Sequence, residues 1–273
     1  MPELPEVETI KRDLEKKILN QNIVRVFIHD GRVIRNSSHR SFIKNLTGKT
    51  FAEISRRGKA LIFKFRGSGY LVVQLMMTGQ LIYSTKTPSN KNSPLKVSFH
   101  LSNNSYLNYN DQRLFGRLYF VQNLNEVKFF QAIGPDPLTA DFDIHWLKEA
   151  LARRKMPIKP LLMNQNFLAG IGNIYASEIL FAAGIHPQRA AKTLNQKETH
   201  SLHAKIKEIL NEAIRLRGTS MNNYRDASGQ KGNYMNRIKV YGREGDPCLV
   251  CQSLVERFAQ GGRSTFFCRR CQK

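Results

Sequence analysis

Two places in the chain hold residues whose type and spacing could do chemistry. The first is the opening, Met1-Pro2-Glu3-Leu4-Pro5-Glu6. A proline behind the initiator methionine is small enough for that methionine to be trimmed, which leaves a free secondary amine. Such an amine adds to an aldehyde carbon and gives a cationic iminium, an electron sink that needs no further protonation. The α-amino group also titrates roughly 2.5 units below lysine, so more of it is nucleophilic near neutral pH. Glu3 stands beside it as a proton donor. A structural reading competes: Pro2 and Pro5 start a helix whose dipole Glu3 and Glu6 complement. The second place is the C-terminus, where Cys248-Leu-Val-Cys251 and Cys268-Arg-Arg-Cys271 hold all four cysteines within the last 26 residues. Two such knuckles, 16 residues apart, fit one tetrahedral zinc with thiolates at about 2.3 Å. Disulfides are the alternative, disfavoured in an intracellular chain with no other cysteine.

The elements that must position these groups can be read from the pattern. Val7, Ile10, Leu14 and Ile18 share one face of an amphipathic helix over residues 5–19. Residues 22–121 switch to alternating β-branched and aromatic runs, among them Ile23-Val-Arg-Val-Phe-Ile28, Ala60-Leu-Ile-Phe-Lys-Phe65, Tyr70-Leu-Val-Val-Gln-Leu75, Val97-Ser-Phe-His-Leu101 and Arg117-Leu-Tyr-Phe-Val121. Short strands at this spacing predict an antiparallel sandwich or barrel. Ile133-Gly-Pro-Asp-Pro-Leu138 reads as a linker, and helical patterning follows over roughly 141–154, 158–164, 173–183 and 196–217. Between the cysteine pairs, Leu254-Val-Glu-Arg-Phe258 and Ser264-Thr-Phe-Phe267 read as a hairpin with Arg263 at its tip. The expected fold is α+β: a β-sandwich domain with a flanking helix over 1–133, a linker over 134–139, a helical domain over 140–235 and a zinc-ribbon hairpin over 236–273.

Gly170-Ile171-Gly172-Asn173 joins two of those helices. The glycines allow a tight turn, Asn173 is placed to cap the next helix, and a helix N-terminus offers free N–H groups to a phosphate. A dinucleotide fold is rejected, since the preceding segment is helical and the third glycine is missing. A helix–turn–helix whose turn grips a DNA phosphate fits better; a plain glycine turn is the structural alternative. Composition names the same partner: 43 Lys+Arg against 21 Asp+Glu give a net charge of +22, a surplus that suits a polyanion. No apolar run approaches the roughly 20 residues of a membrane span, and no secretory signal is evident. The expectation is a cytoplasmic, nucleoid-associated monomer that binds double-stranded DNA.

Four motifs, in order along the chain, carry a resemblance: Pro2-Glu3-Leu4-Pro5-Glu6-Val7-Glu8-Thr9, Arg57-Gly58-Lys59, Gly170-Ile171-Gly172-Asn173-Ile174-Tyr175-Ala176-Ser177-Glu178, and Cys268 to Cys271-Gln272-Lys273. Together they resemble formamidopyrimidine-DNA glycosylase, a bifunctional base-excision enzyme for oxidised purines such as 8-oxoguanine. The resemblance implies that Pro2 attacks C1′ of the damaged nucleotide, that Glu3 is the general acid at the deoxyribose, and that β- and δ-elimination then cut the strand. It further implies that Lys59 contacts the phosphate beside the lesion and assists proton transfer, that Glu6 is a supporting carboxylate, and that Asn173 and Arg263 clamp the same phosphates, with Arg263 also linked to elimination. Lys155 and Tyr241 match further phosphate contacts. An everted base leaves a gap in the stack. Here the resemblance points to Met77 as the plug, Arg113 as partner of the orphaned cytosine and Phe115 as a wedge. By pattern alone Met77 and Phe115 read as core residues.

A base-recognition loop is expected over residues 219–235, where Asn222-Asn-Tyr-Arg-Asp-Ala-Ser-Gly-Gln-Lys-Gly232 is polar and glycine-containing, as a mobile lid would be. Two departures stand out. Leu114 follows the intercalating arginine where the family often has a second basic residue, and Asn92-Ser93-Pro94-Leu95-Lys96 holds no histidine where many members have His-x-His. Both positions are DNA contacts, so altered backbone binding is expected. Two rivals share much of the pattern: a pyrimidine-directed endonuclease VIII-type glycosylase, and a non-catalytic zinc-ribbon DNA binder. The continuation Leu4-Pro5-Glu6-Val7-Glu8-Thr9 favours purine lesions over the first. The joint presence of Pro2-Glu3, Lys59 and Arg263 argues against the second.

Overall fold

A leading helix opens the molecule and fixes the packing of everything near it. In the computed structural model, which describes residues 1–88, 94–221 and 223–273, α1 (Leu4–Ile18) has Pro5 in its first turn, where a missing N–H costs nothing. Leu4, Val7, Ile10, Leu14 and Ile18 are fully buried along one stripe, each burial worth about 1.5–3 kcal/mol. Lys16 and Lys17 lie in the last turn, where they suit the dipole.

Two compact units follow, each taken by itself: Met1–Ala132 with Leu216–Met235, and Ile133–Arg215 with Asn236–Lys273. The first contains β1 (Ile23–Ile28), β2 (Ile34–Arg35), α2 (His39–Leu46), β3 (Phe51–Arg57), β4 (Ala60–Phe65), β5 (Tyr70–Gln74), β6 (Gln80–Ser84), β7 (Leu95–Leu101), β8 (Tyr106–Asn110), β9 (Arg117–Val121) and α3 (Lys128–Gln131). One sheet runs β1-β7-β8-β6 and the other β2-β9-β5-β4-β3. Among the described residues all strand pairings are antiparallel except the two-residue β2–β9 pair, which is parallel. Val97, Phe99 and Tyr109 from the first sheet share one core with Leu61, Phe63, Val73 and Leu118 from the second, together with the buried stripe of α1. That is the expected sandwich, and α1 packs on β3 and β4.

The second unit holds α4 (Ile144–Ala152), α5 (Ile158–Met163), α6 (Asn173–Ala183), α7 (Gln196–Arg215) and the hairpin β10 (Glu256–Gln260) and β11 (Arg263–Phe267). α6 is buried almost all round and ends at Gly184 with φ 72°, the left-handed conformation that closes helices. The hairpin turn is Gly261-Gly262, with φ of 57° and 71°, so both central residues have the positive φ that a two-residue turn of matching twist needs. Phe181 of α6 packs with Val240, Cys248, Val255 and Cys268, which seats the ribbon on the helix. No helix among the described residues is long and apolar enough to cross a membrane.

Residues 140–235 read from sequence as one helical domain, but Leu216–Met235 packs with the first unit. Tyr224 and Ala227 are buried in the sandwich core, and Tyr83 of β6 donates its backbone N–H to Ala227 O at 2.8 Å. The pattern of a mobile lid therefore overlooked two anchors hidden in a polar stretch. Asn222 of that loop, and Asn92 and Ser93 of the histidine-free stretch, lie outside the described residues.

Candidate active site and nucleic-acid contacts

Pro2 is buried beneath an exposed Met1, and while Met1 remains its nitrogen is an amide without nucleophilicity. Glu3 adopts an extended backbone before α1. Its N–H donates to Glu6 Oε2 at 2.7 Å, and Glu6 Oε1 accepts from Thr219 N at 2.7 Å. One buried carboxylate, 2% exposed, thus ties the backbone next to Pro2 to the stem of the 219–235 segment. Gly218 makes this approach possible: with φ at +79°, a Cβ there would stand 2.6 Å from Glu6 Oε1. Pro2, Glu3 and Glu6 are therefore brought together at the head of α1.

Lys59 occupies the turn of the β3–β4 hairpin, between paired residues Arg57 and Ala60, with Gly58 at φ 59° supplying the reversal. Arg56 secures this turn. Its Nη1 donates to Gly58 O at 2.9 Å and its Nε to Glu8 Oε2 of α1 at 3.0 Å. Glu8 accepts as well from Arg12 Nε at 2.8 Å. Burial alone pushes the Glu8 carboxyl up, but the bonds to Arg12 and Arg56 outweigh it and hold the group below its ordinary value. A chain of contacts thus runs from the helix that Pro2 precedes to the turn that carries Lys59.

Met77 and Phe115, which read as core by pattern, are exposed at 41% and 46%. They sit on two loops organised by one residue, Asp111, which is fully buried. Its Oδ1 accepts from Thr78 Oγ1 at 2.5 Å and from Arg113 N at 3.2 Å, and its Oδ2 accepts from Gly116 N at 2.8 Å. Gly116 is obligatory, since a Cβ would overlap the Tyr109 hydroxyl. The Arg113 guanidinium stacks 4.6 Å from the Phe115 ring centroid, which stiffens an exposed pair. Leu114, between them, has φ 58° and turns inward against the core. A basic residue there would have faced apolar side chains.

In the second unit, α6 starts at Asn173 with Gly172 as its N-cap. The expected Asn173 cap is absent; instead Asn173 Nδ2 donates to Ser264 O at 2.9 Å, while its buried Oδ1 has no hydrogen-bond partner among the described residues. Ser264 O also accepts from Lys159 Nζ at 3.2 Å, and Lys159 Nζ donates to Thr265 Oγ1 at 2.9 Å. These bonds fix the strand beside exposed Arg263, which opens β11 opposite Gln260. Lys155 is exposed between α4 and α5. Tyr241 packs edge-on against Phe266, ring centroids 5.1 Å apart. Its N–H donates to Glu178 Oε1 at 2.8 Å, and Glu178 also accepts from Val240 N at 3.0 Å and Lys239 N at 2.8 Å.

Glu8, Asp111, Lys159 and Glu178 were not singled out from sequence. A signal was available for two of them: each is the lone charge in an apolar helical stretch, Ile158-Lys-Pro-Leu-Leu for Lys159 and Ile174-Tyr-Ala-Ser-Glu-Ile-Leu for Glu178. Charges in such settings are kept only where they are bonded.

The four cysteine sulfurs lie within 4.8 Å of one another, with Cys248–Cys271 at 3.9 Å and Cys251–Cys268 at 3.4 Å. A tetrahedron with arms of about 2.3 Å has edges of about 3.8 Å, so the donor set fits zinc. Cys248, Cys251, Cys268 and Cys271 thus form one structural, fully protein-ligated zinc site with no open position.

Family models match nearly the whole chain: the formamidopyrimidine-DNA glycosylase N-terminal domain over residues 1–118, the H2TH domain of the same enzyme over 133–225, and a zinc finger found in FPG and IleRS over 245–273. The formamidopyrimidine-DNA glycosylase of Desulforamulus reducens is 41% identical, covering 100% of this chain and 99% of that one. Among solved structures, the Lactococcus lactis Fpg in complex with an abasic-site-containing DNA has a TM-score of 0.92 at 36% identity, with 99% of each chain covered. A complex of the same bacterium's enzyme with Fapy-dG-containing DNA has a TM-score of 0.90 at 36% identity, covering 99% of this chain and 100% of that one.

Proposed function

Because the chain belongs to the formamidopyrimidine-DNA glycosylase family, and is therefore a DNA glycosylase of base-excision repair, we propose that it removes oxidised purines through an N-terminal proline Schiff base and then cleaves the abasic site. Once Met1 is removed, the Pro2 nitrogen attacks C1′. The glycosidic bond breaks and its electron pair leaves with the base, which takes up a proton. The sugar ring opens as the C1′ iminium forms, with Glu3 delivering a proton to O4′. The iminium acidifies the C2′ proton. Loss of that proton expels the 3′ phosphate by β-elimination, and a second elimination expels the 5′ phosphate. Lys59 and Arg263 bind the phosphates that become leaving groups and assist proton transfer, Glu6 supports the nucleophile, and Asn173, Lys155 and Tyr241 are further phosphate contacts. Met77, Arg113 and Phe115 fill the space left by the everted base.

The observation that supports this reading best lies within the first unit. Pro2 and Glu3 head a helix whose Glu8 is bonded to Arg56, and Arg56 in turn holds the turn carrying Lys59, so an amine, an acid and a cation share one scaffold. The solved Lactococcus complexes hold an abasic site and a Fapy-dG, a product-like and a substrate-like state of such a reaction. The zinc itself would supply no chemistry; the four thiolates hold the hairpin that carries Arg263. The test is incubation with an end-labelled duplex containing one 8-oxoguanine opposite cytosine. The reading expects a one-nucleotide gap with phosphate on both ends. An intact strand with an abasic site would overturn the lyase assignment, and cutting only at oxidised pyrimidines would overturn the substrate class.

A further inference from the structure

Residue 217 stands at φ 64°, a left-handed conformation that costs a side chain with a Cβ about 1 kcal/mol. The residue there is Arg217, not glycine, and its half-exposed side chain bonds two carboxylates through Nε and Nη2. Nη2 donates to Asp13 Oδ2 of α1 at 2.5 Å and to Asp226 Oδ2 at 2.6 Å, and Nε donates to Asp226 Oδ2 at 3.0 Å. Asp226 is 1% exposed, and its Oδ1 accepts from Ser228 N and Gln230 N, both at 2.9 Å. Asp13 belongs to the helix that Pro2 and Glu3 precede. The ends of the segment are closed by Asn233 N to Leu216 O at 2.8 Å and Tyr234 N to Gly218 O at 3.0 Å. Charge-assisted bonds of this kind are stronger than neutral ones, so the guanidinium offsets the backbone strain and couples the stem and the middle of the loop to α1.

We propose that Arg217 is a positioning residue for lesion recognition, a latch that joins Asp13 and Asp226 and so sets where Thr219, Ser220, Met221 and Tyr224 stand with respect to Pro2. The proposal rests on the glycosylase reading above and deepens it. Two features direct it at the base-reading step. The latch acts on the segment whose stem is already bonded to Glu6 through Thr219, and it touches none of Pro2, Glu3 or Lys59. The segment it holds carries an exposed Met221, a side chain free to meet an everted base. Opening the latch lowers the fraction of molecules with a competent loop, and the apparent rate on a base-containing substrate falls by that fraction. An abasic substrate has no base to be read, so its cleavage does not need the loop.

The experiment compares wild type, Arg217→Gly and Arg217→Lys on two duplexes, one with 8-oxoguanine and one with a preformed abasic site. Glycine accepts φ 64° without strain, so Arg217→Gly removes the guanidinium and leaves the backbone in place. The latch predicts about tenfold slower base excision for Arg217→Gly, equivalent to roughly 1.4 kcal/mol, unchanged abasic cleavage, faster tryptic cutting at Lys231, and substantial recovery in Arg217→Lys. Equal losses on both duplexes, or no loss on either, overturn the latch. Wild type inactive on both duplexes overturns the glycosylase reading itself, a result distinct from either.

Discussion

Replacing Glu8 by glutamine tests how the scaffold holds Lys59. Glu8 is 9% exposed and its partner Arg56 has a side chain only 6% exposed. The other partners lie nearer the surface: the Arg12 side chain is 56% exposed and Lys11 reaches Glu8 only at 3.9 Å. Surface pairs of that kind contribute about 0.3–0.5 kcal/mol each. Removing one member of a buried pair costs about 3–5 kcal/mol. The glutamine Oε1 can keep one of the bonds, so the expected loss is about 3 kcal/mol. For a unit of about 150 residues this lowers Tm by roughly 6–12 °C. The pH dependence has a defined sign. The Glu8 carboxyl is held below its ordinary 4.5, so its contribution is fully present above that value and is lost as pH falls through the lower folded value. Thermal melts of wild type and Glu8→Gln should therefore differ by a constant amount above about pH 4.5 and converge below it. Abasic cleavage by the variant should slow as the Gly58–Lys59 turn loosens. A Tm change under about 1 °C at pH 7, or a difference that persists undiminished into acid, would refute the reasoning.

Other perturbations follow from the same geometry. Lys159→Met removes the ammonium from Ser264 O and Thr265 Oγ1 while sparing a buried charge, so stability should change little. Because the strand beside Arg263 loosens, gel analysis should show more strand cut on one side of the sugar only. Glu178→Gln turns an amide donor toward the Lys239 N–H, leaving a buried clash worth about 2–3 kcal/mol. It should lower both Tm and duplex affinity, the latter measured by fluorescence anisotropy. Chelation should release one zinc per chain, counted with a metallochromic dye, and weaken duplex binding as the Arg263 hairpin loses its support. Affinity unchanged after complete zinc release would contradict that role.

The paired cysteines were legible in the sequence because they sit in a short, ordered motif, and the proposed reactive pair Pro2-Glu3 stands out for the same reason. Elements with a strong single period were also legible. The stripe of α1 and the β-branched and aromatic runs of β1, β4 and β9 stand within a residue or two of their expected bounds. β8 was not, because Tyr-Leu-Asn-Tyr-Asn reads as polar; its buried Asn108 is satisfied by Ser98 Oγ at 2.6 Å, a partner only the sheet supplies. α2 escaped because only Phe42 and Leu46 of its eight residues are buried. The groups that position the chemistry were the least visible. Glu8, Asp111, Lys159, Glu178 and Arg217 are charged residues, which a sequence pattern assigns to the surface, and each has at least one partner far along the chain: Arg56, Thr78, Thr265, Tyr241 and Asp13. The anchoring of the 219–235 loop was hidden for a related reason: its composition is polar, yet Tyr224 and Ala227 are core residues.

Borohydride trapping tests the central proposal most directly. The protein would be mixed with a duplex holding one 8-oxoguanine opposite cytosine, reduced, digested and mapped by mass. A reduced sugar adduct on the nitrogen of Pro2, in a peptide lacking Met1, is the predicted result. An adduct on Lys59 or another lysine, or no adduct despite tight binding to the same duplex, would contradict it.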